Sequence, residues 1–220
     1  MKNFKNNSNT KKSDLNIYKL RIEKENLIWV NQVTHILKNQ FSKKKYKVND
    51  LGCNLFQLYK GLKKKKLTNK FDYNGYDHDK TYIKNGLKYF PELKKKYKII
   101  NLEKDMPQQA DISVISATLE HLNNPDKSLN NILKSTKKTI LIRSFFGKKK
   151  ITKLFKDKNF VDNPYYINQF TFSWLKNKLK IQKFKLTQIK KDQATDGKMR
   201  KIYPNIKRKF YIIIANRNDI

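Results

Sequence analysis

The sequence predicts an α/β fold, a mostly parallel doubly wound sheet in three layers with helices on both faces. Strand-like and helix-like stretches alternate between about residues 46 and 144, as parallel strands joined by right-handed crossovers require. The stretch from Lys47 to Gly61 has the pattern of a strand, a tight turn and a helix. The 220 residues, 38% of them apolar, are enough for one domain with its own core.

The N-terminal part is polar and then becomes amphipathic. Residues 1–20 are rich in Asn, Lys and Ser, and we expect them to form a flexible basic arm before a single domain over residues 21–220. Apolar residues recur at helical spacing from Glu25 to Phe41. This pattern predicts a helix that lies against the sheet.

The first strand leads into a candidate ligand-binding turn. Asp50 and Gly52 follow the apolar residues Tyr46 and Val48, and a helical pattern begins near Leu55. Ligands of doubly wound sheets bind at the carboxyl ends of the strands, where a helix start offers unpaired N–H groups. Glycine allows a ligand to approach the backbone closely, and the aspartate can hold an amino group or a water.

A second acidic residue follows the next strand. Asp77 ends the strand that starts at Tyr73, 27 positions after Asp50, near the spacing at which an acid meets a ribose in this type of fold. Asp79 is expected to cap the helix from Lys80 to Tyr89. Asp77 is therefore the better ligand candidate.

The remaining elements complete the sheet. Short buried strands are predicted at Tyr97–Asn101, Ile112–Ser116 and Thr139–Ser144, with helical turns between the last two that are broken at Pro125. The last third predicts a helix at Phe172–Leu179 and two strands, Phe184–Lys190 and Lys209–Asn216, separated by a long loop. Long loops inside compact domains are often functional.

The chain carries a large positive charge, but its composition does not favour nucleic-acid binding. The net charge is +33, which attracts phosphate irrespective of sequence. Only five of the 51 basic residues are arginine, although recognition of bases favours the forked guanidinium. Lysine, Asn and Ile also spread along the whole chain, which favours codon bias over RNA binding. Nucleic acid therefore stays a partner that is not favoured.

The sequence also gives an expectation of where the protein is located, from the lack of membrane, secretory and disulfide signals. No apolar run is long enough to span a membrane, and the first ten residues do not resemble a secretory signal. Cys53 is the single cysteine, which excludes an internal disulfide and fits a reducing cytoplasm. We expect a cytoplasmic protein, and no metal site is predicted.

The combined motifs resemble those of class I S-adenosylmethionine-dependent methyltransferases. The matching segments are DLGCN (50–54), GYD (75–77), NLEKDMP (101–107), ADISVISATLEHLNNPDKSL (110–129) and the FTFSWLKNKL and FKL segments (170–186). The resemblance extends over residues 25–216. It implies a Rossmann-like seven-stranded sheet with a final antiparallel strand, S-adenosylmethionine as cofactor and methyl transfer as activity.

The resemblance also implies roles for individual residues. The turn of Asp50, Gly52, Cys53 and Asn54 would line the methionine part of the cofactor. Asp77, with His78 beside it, would bond the ribose hydroxyls. The loop of Asn101, Leu102 and Glu103 would border the adenine, with the usual acid either replaced by Asn101 or displaced to Glu103. Ser116 and Ala117 would face the sulfonium and the acceptor.

Two positions depart from the family pattern, and the acceptor stays open. Asn54 and Phe56 stand where glycines are usual; asparagine tolerates positive φ, whereas Phe56 raises the question of how closely helix and cofactor approach. His121 is the candidate base, with an ordinary leucine-rich turn as the alternative. Candidates for acceptor binding are Arg143, Tyr165 and Tyr166.

The function of the protein has three alternatives. We expect a small molecule or saccharide, because no recognition domain is appended. An RNA or protein methyltransferase is the second alternative, and a non-catalytic scaffold is the third. A dehydrogenase is disfavoured, because the second and third glycines of a dinucleotide site are missing.

Overall fold

The computed structural model describes residues 12–23, 27–41, 44–156, 164–203 and 206–218. Its helices are α1 (Lys12–Glu23), α2 (Ile28–Gln40), α3 (Gln57–Lys64), α4 (Lys80–Tyr89), α5 (Pro125–Ser135) and α6 (Phe172–Ile181). Its strands are β1 (Tyr46–Leu51), β2 (Phe71–Asp77), β3 (Tyr97–Ile99), β4 (Ala110–Ser116), β5 (Thr136–Phe145), β6 (Leu154–Phe155), β7 (Tyr165–Tyr166), β8 (Phe184–Lys191), β9 (Arg200–Tyr203), β10 (Ile206–Arg208) and β11 (Phe210–Arg217).

Seven of these strands form one sheet in the order β3-β2-β1-β4-β5-β11-β8. Strands β1 to β5 pair in parallel, whereas β11 is antiparallel to both β5 and β8. The predicted seven-stranded sheet with a final antiparallel strand is confirmed. The order reverses between β1 and β4, so the crevice for a ligand is expected beyond the carboxyl ends of these two strands.

Helices cover both faces of the sheet because side chains alternate along each strand. Ile212 and Ile214 of β11 pack with α2, α3 and α4 in one apolar cluster, and Ile213 packs with α5 and α6 in the other. The two clusters place a core on each side of the sheet, which confirms the predicted three layers.

Helix α1 corrects the expectation of a loose arm. Residues 1–11 lie outside the described residues, but Lys12–Glu23 is helical. Ile22 is buried in the core, and Leu15 and Tyr18 pack against it from the same face of the helix. Lys60 Nζ donates to the carbonyl oxygens of Arg21 and Ile22, which satisfies acceptors at the end of the helix.

The predicted long loop after β8 also contains structure. Strands β9 and β10 pair as a short antiparallel hairpin within it. Elsewhere the predicted elements are present with shifted ends: α3 begins at Gln57 rather than near Leu55, and Pro125 is the first residue of α5. Among the described residues, no helix has both the length and the apolar character needed to cross a bilayer.

Candidate functional site

The turn after β1 is folded against the end of β2. The N–H groups of Gly52 and Cys53 both donate to the carbonyl oxygen of Tyr76, over 2.8 and 3.0 Å. Gly52 has φ +78°, and a Cβ there would lie 2.0 Å from Oγ1 of Thr118. Only glycine fits this position. Burial raises the pKa of the Cys53 thiol well above its usual range, so Cys53 is neutral at physiological pH.

Asp77 stands at the end of β2 and holds the turn in place. Its Oδ2 accepts from the N–H of Asn54 over 2.9 Å, and its Oδ1 accepts from the N–H of Asp79 over 3.0 Å. Nδ1 of His78 lies 3.5 Å from the same Oδ1. A carboxylate offers about four lone-pair positions, so two strong backbone bonds leave room for further donors. Burial raises the pKa of Asp77, and the neighbouring backbone N–H groups oppose this shift.

Asp50 lies beside Asp77 in the structure. Burial raises the pKa of its carboxyl group to about 7, the hydrogen bond from Tyr73 lowers it, and the negative charge of Asp77 raises it further. The Tyr73 hydroxyl donates to Asp50 Oδ2 over 2.7 Å. The two acidic residues of the sequence analysis therefore share one buried electrostatic environment.

Phe56 does not enter the ligand region. It has φ +63° and is fully buried, and its ring fills the space left by two glycines. A Cβ on Gly75 would lie 2.8 Å from the ring, and a Cβ on Gly86 would lie 2.6 Å from it. Gly75 and Gly86 thus accommodate the phenylalanine on the side of helix α4. Asn54, at φ 52°, adopts the left-handed conformation that its side chain tolerates.

The loop after β3 is tied to the start of α5. The side-chain oxygen of Asn101 accepts from the N–H of Glu103 over 2.9 Å. The Glu103 carboxylate in turn accepts from the N–H of Asn124, the residue that caps α5. Asn101 therefore shapes the loop, and Glu103 connects it to the next helix.

The residue that follows strand β4 has a strained backbone. Ala117 has φ 51°, which is rare for alanine, and its N–H donates to the carbonyl of Arg143 over 2.9 Å. The Oγ of Ser116 is buried and has no hydrogen-bond partner within the described residues. Strained residues and unsatisfied polar atoms of this kind cluster at ligand sites.

His121 lies in the 3-10 turn Leu119–His121 that follows β4. Its Nδ1 is 3.0 Å from the carbonyl oxygen of Tyr166. Because a carbonyl only accepts, Nδ1 carries the proton in this bond, and Nε2 of the neutral ring is left with its lone pair. The ring of Tyr165 packs edge-on against the imidazole, with 5.0 Å between centroids.

Arg143 is engaged by the protein itself. Its Nε and Nη2 donate to the two carboxylate oxygens of Asp192 over 2.9 and 3.1 Å. The pair is buried, and the guanidinium lies 4.0 Å from the ring centroid of Phe210. From the sequence, Arg143 is a candidate for acceptor binding, whereas in the structure its guanidinium is bound by the Asp192 carboxylate of the same chain.

All these elements surround one cavity of about 950 Å³. It is lined by the predicted cofactor residues Asp50, Gly52, Cys53, Asn54, Asp77, His78, Asn101, Leu102, Glu103, Ser116 and Ala117, and by His121, Arg143 and Tyr165. Tyr166 is not part of the lining and contributes its carbonyl oxygen to His121. The structure thus brings together residues from the ends of β1, β2, β4 and β5 and from the loop after β3.

Other lining residues were not found from the sequence. Helices α1 and α2 contribute Tyr18, Arg21, Ile28 and Trp29, and distant strands contribute Phe145 and Phe210. No local motif marks these positions, because only the folded chain brings them to the cavity. Glu120 also lines the cavity. Its position next to the candidate base His121 could have marked it as a site residue from the sequence.

The lining has the opposite charge character from the rest of the chain. Five acidic residues contribute to it: Asp50, Asp77, Asp79, Glu103 and Glu120. Within the described part of the chain, no lysine lines the cavity, although the chain as a whole carries 51 lysines and arginines. The cavity is therefore an acidic region inside a basic protein.

The family comparison agrees with this architecture. The family model for "Methionine biosynthesis protein MetW" matches residues 33–162, more than half of the chain. The chain belongs to the MetW family. A search of curated proteins found no match to this member of the MetW family.

Solved structures share the fold of this MetW family member at low sequence identity. A SAM-dependent methyltransferase from Methanosarcina mazei is 14% identical, with a TM-score of 0.63, covering 83% of this chain and 96% of that one. Magnesium protoporphyrin IX methyltransferase from Synechocystis, with bound SAM, is 12% identical, with a TM-score of 0.61 and coverage of 96% and 86%.

A third similar structure comes from Burkholderia thailandensis. Its 1,6-didemethyltoxoflavin-N1-methyltransferase, with bound 1,6-didemethyltoxoflavin and S-adenosylhomocysteine, is 11% identical, with a TM-score of 0.61 and coverage of 93% and 83%. At these identities the likeness establishes the fold. The MetW family member thus has the Rossmann-like fold of class I methyltransferases.

Proposed function

We propose that this protein is an S-adenosylmethionine-dependent methyltransferase that acts on a small molecule or a saccharide. The observation that supports the proposal most strongly is the convergence of Asp50 and Asp77, from neighbouring strand ends, on one cavity. Similar structures have been determined with SAM or S-adenosylhomocysteine bound, and their fold is that of this chain.

The residues of the cavity fit such a cofactor. Asp77 retains acceptor capacity for ribose hydroxyls after its two backbone bonds. Ser116 Oγ and Gln57 Nε2 are buried polar atoms without a hydrogen-bond partner in the described residues, and both residues line the cavity. The acidic lining suits a ligand that carries a sulfonium and an ammonium group. The turn Asp50–Asn54 would lie beside the methionine part, and the loop Asn101–Glu103 beside the adenine.

The bound cofactor supplies a methyl group on a positively charged sulfur. The protein contributes mainly positioning and the exclusion of water, because methyl transfer is an in-line displacement. His121 is the proposed base. It lines the cavity, and its Nδ1–H bond to the Tyr166 carbonyl leaves Nε2 of the neutral ring able to accept the proton of the acceptor. An unchanged transfer rate after His121→Gln would remove His121 from this role.

The cavity supports a small acceptor over a nucleic acid. Nucleic acids are bound through phosphate contacts, which lysine and arginine provide. Among the described residues, two arginines and no lysine line the cavity, and one of the two, Arg143, is paired with Asp192. The volume of about 950 Å³ lies at the upper end of the range for small-molecule sites, which gives room for cofactor and acceptor together.

Isothermal titration with S-adenosylhomocysteine tests the proposal. We expect saturable one-to-one binding with a Kd in the micromolar range, competed by S-adenosylmethionine. Absence of binding at millimolar ligand would refute the proposed function. Detectable turnover of S-adenosylmethionine with any acceptor would exclude a non-catalytic scaffold.

A further inference from the structure

Glu120 is a buried carboxylate with one unsatisfied oxygen. Its side chain has no solvent exposure, and Ser144 Oγ donates to its Oε2 over 2.7 Å. Its Oε1 is buried and has no hydrogen-bond partner within the described residues, yet Glu120 lines the cavity. An unpaired carboxylate oxygen is costly in such surroundings, so a donor from a ligand would satisfy a need that the fold leaves open.

Glu120 lies close in the chain to the residues that are expected to face the acceptor, Ser116 and Ala117. It precedes His121 in the 3-10 turn after β4, and its carboxylate is held by Ser144 of β5. Most predicted cofactor residues lie at the ends of β1 and β2 and in the loop after β3, whereas Ser116 and Ala117, at the end of β4, are the ones expected to face both the sulfonium and the acceptor. Glu120 is therefore placed to contact the second ligand.

The arginine of the neighbouring strand β5 is already paired within the protein. The Arg143 guanidinium is held by both oxygens of Asp192, and its face lies against Phe210. Lysine is absent from the lining that the structure describes. The other lining arginine, Arg21, belongs to helix α1 and not to the turn and strand that hold Glu120. An acceptor whose carboxylate or phosphate lies beside Glu120 would therefore meet a like charge there, which is unfavourable.

We propose that Glu120 binds the methyl acceptor, and that the acceptor is an amine that presents an N–H donor to this carboxylate. The inference rests on the proposed function and specifies its substrate class. Charge-assisted hydrogen bonds to a buried carboxylate are the strong ones. The aromatic rings of Trp29 and Tyr165, which line the same cavity, add surface on which an ammonium group or a flat ring can pack.

Three molecules of one shape but different charge provide the test: tyramine, tyrosol and 4-hydroxyphenylacetate. Their affinities are measured by ligand-observed NMR with the protein saturated in S-adenosylhomocysteine. The variants are Glu120→Gln, which removes the charge and keeps the shape, and Glu92→Gln as control. Glu92 makes an exposed ion pair with Lys63 and does not line the cavity.

We expect the wild-type protein and Glu92→Gln to prefer tyramine over 4-hydroxyphenylacetate by about tenfold or more. In Glu120→Gln this ratio should fall to about threefold or less, with the affinity for S-adenosylhomocysteine unchanged. If Glu120→Gln does not fold, the wild-type ratio still decides the matter.

Three results would overturn the inference while the proposed function stands, because S-adenosylhomocysteine binding is measured first. The first is binding of 4-hydroxyphenylacetate that is as tight as that of tyramine or tighter. The second is an unchanged ratio of these two affinities in folded Glu120→Gln. The third is failure of all three molecules to bind the protein loaded with S-adenosylhomocysteine. Failure of S-adenosylhomocysteine itself to bind would remove the proposed function and this inference with it.

Discussion

The N–H of Asn54 donates a hydrogen bond to Oδ2 of Asp77 over 2.9 Å. This bond joins the turn after β1 to the end of β2, 23 residues later. It fixes the orientation of the Asp77 carboxylate towards the cavity that both residues line. The same side chain is thus a structural link within the chain and the proposed acceptor for the ribose hydroxyls.

Replacing Asp77 should weaken cofactor binding. In Asp77→Asn the side chain loses its charge. Its NH₂ group would also face one of the two backbone N–H donors, so one of these hydrogen bonds is lost. We expect the affinity for S-adenosylhomocysteine to fall by about 10-fold to 100-fold, the value of hydrogen bonds to a charged group. The measurement is isothermal titration, with thermal unfolding to confirm that the variant is folded.

Asp72→Asn is the matched control for Asp77→Asn. Asp72 lies in the same strand, pairs with Lys96 and is not part of the cavity lining. Its replacement should leave the affinity unchanged. Equal losses in both variants would show that the effect comes from the strand and not from the ligand contact.

The raised pKa of Asp50 should make stability depend on pH. The pKa is about 7 in the folded protein, because of burial above all, and about 4 in the unfolded chain. Between these values the folded state binds more protons, so the free energy of unfolding decreases as the pH rises from 4 to 7. The decrease from this group is on the order of 4 kcal/mol at most.

Asp50→Asn isolates this contribution. Asparagine keeps an acceptor for the Tyr73 hydroxyl but does not ionise. Urea unfolding at several pH values between 4.5 and 8 should show wild type losing stability relative to the variant as the pH rises. Parallel pH profiles would contradict the raised pKa. Because the charges of Asp50 and Asp77 interact, the difference between the two profiles includes the effect of Asp50 on the titration of Asp77.

The contact between Phe56 and Gly86 should appear as energetic coupling. Gly86→Ala would bring a methyl group within 2.6 Å of the Phe56 ring, which overpacks the core by about 1–3 kcal/mol. In a Phe56→Leu background the same change should cost less, because the flexible leucine replaces the rigid ring and alanine favours the helix by about 1 kcal/mol, while the close approach to the Leu55 Cα, at 3.2 Å, stays. Urea unfolding of the two single variants and the double variant measures the coupling.

A second cycle shows whether that coupling is specific. Lys180→Ala lies in α6, on the other face of the sheet, and should be additive with Phe56→Leu to within about 0.5 kcal/mol. Additivity in both cycles would mean that Gly86 is not required to accommodate the phenylalanine.

Breaking the buried Arg143–Asp192 pair should destabilise the fold strongly. Both side chains are buried, at 8% and 0% exposure. Asp192→Asn leaves an uncompensated guanidinium in the interior, and we expect the free energy of unfolding to fall by about 3–5 kcal/mol. Chemical denaturation provides the measurement.

The exposed pair of Lys63 and Glu92 is the reference for the buried pair. Lys63→Met should cost less than about 1 kcal/mol, because solvent screens this interaction. A similar small cost for Asp192→Asn would show that Arg143 finds another partner, and would restore it as a candidate for binding anionic ligands.

Local patterns predicted the parts of the site that neighbouring residues determine. The strand, turn and helix from Lys47 to Gly61 and the acid at the end of β2 were found because their periodicity and turn residues are continuous in the chain. The capping role of Asp79 is confirmed, as its side chain accepts from the N–H of Thr81. The prediction of seven strands with a final antiparallel strand came from the resemblance to a family.

Long-range contacts account for what was missed. Arg143 was expected to bind a ligand, but Asp192 is 49 residues further along and nothing local connects the two. Helix α1 has a weak pattern of its own and gains its stability from packing of Ile22 on the core and from Lys60. Glu120 appears in the sequence as an ordinary acid beside His121, and only its burial and its unpaired oxygen distinguish it.

A crystal structure of the protein with S-adenosylhomocysteine tests the central claim most directly. We expect the ribose hydroxyls within 3.2 Å of the Asp77 carboxylate, the amino acid part beside the turn Asp50–Asn54 and the sulfur facing Ser116 and Ala117. Electron density for the ligand elsewhere, or an Asp77 that makes only its two backbone bonds in the complex, would contradict the account.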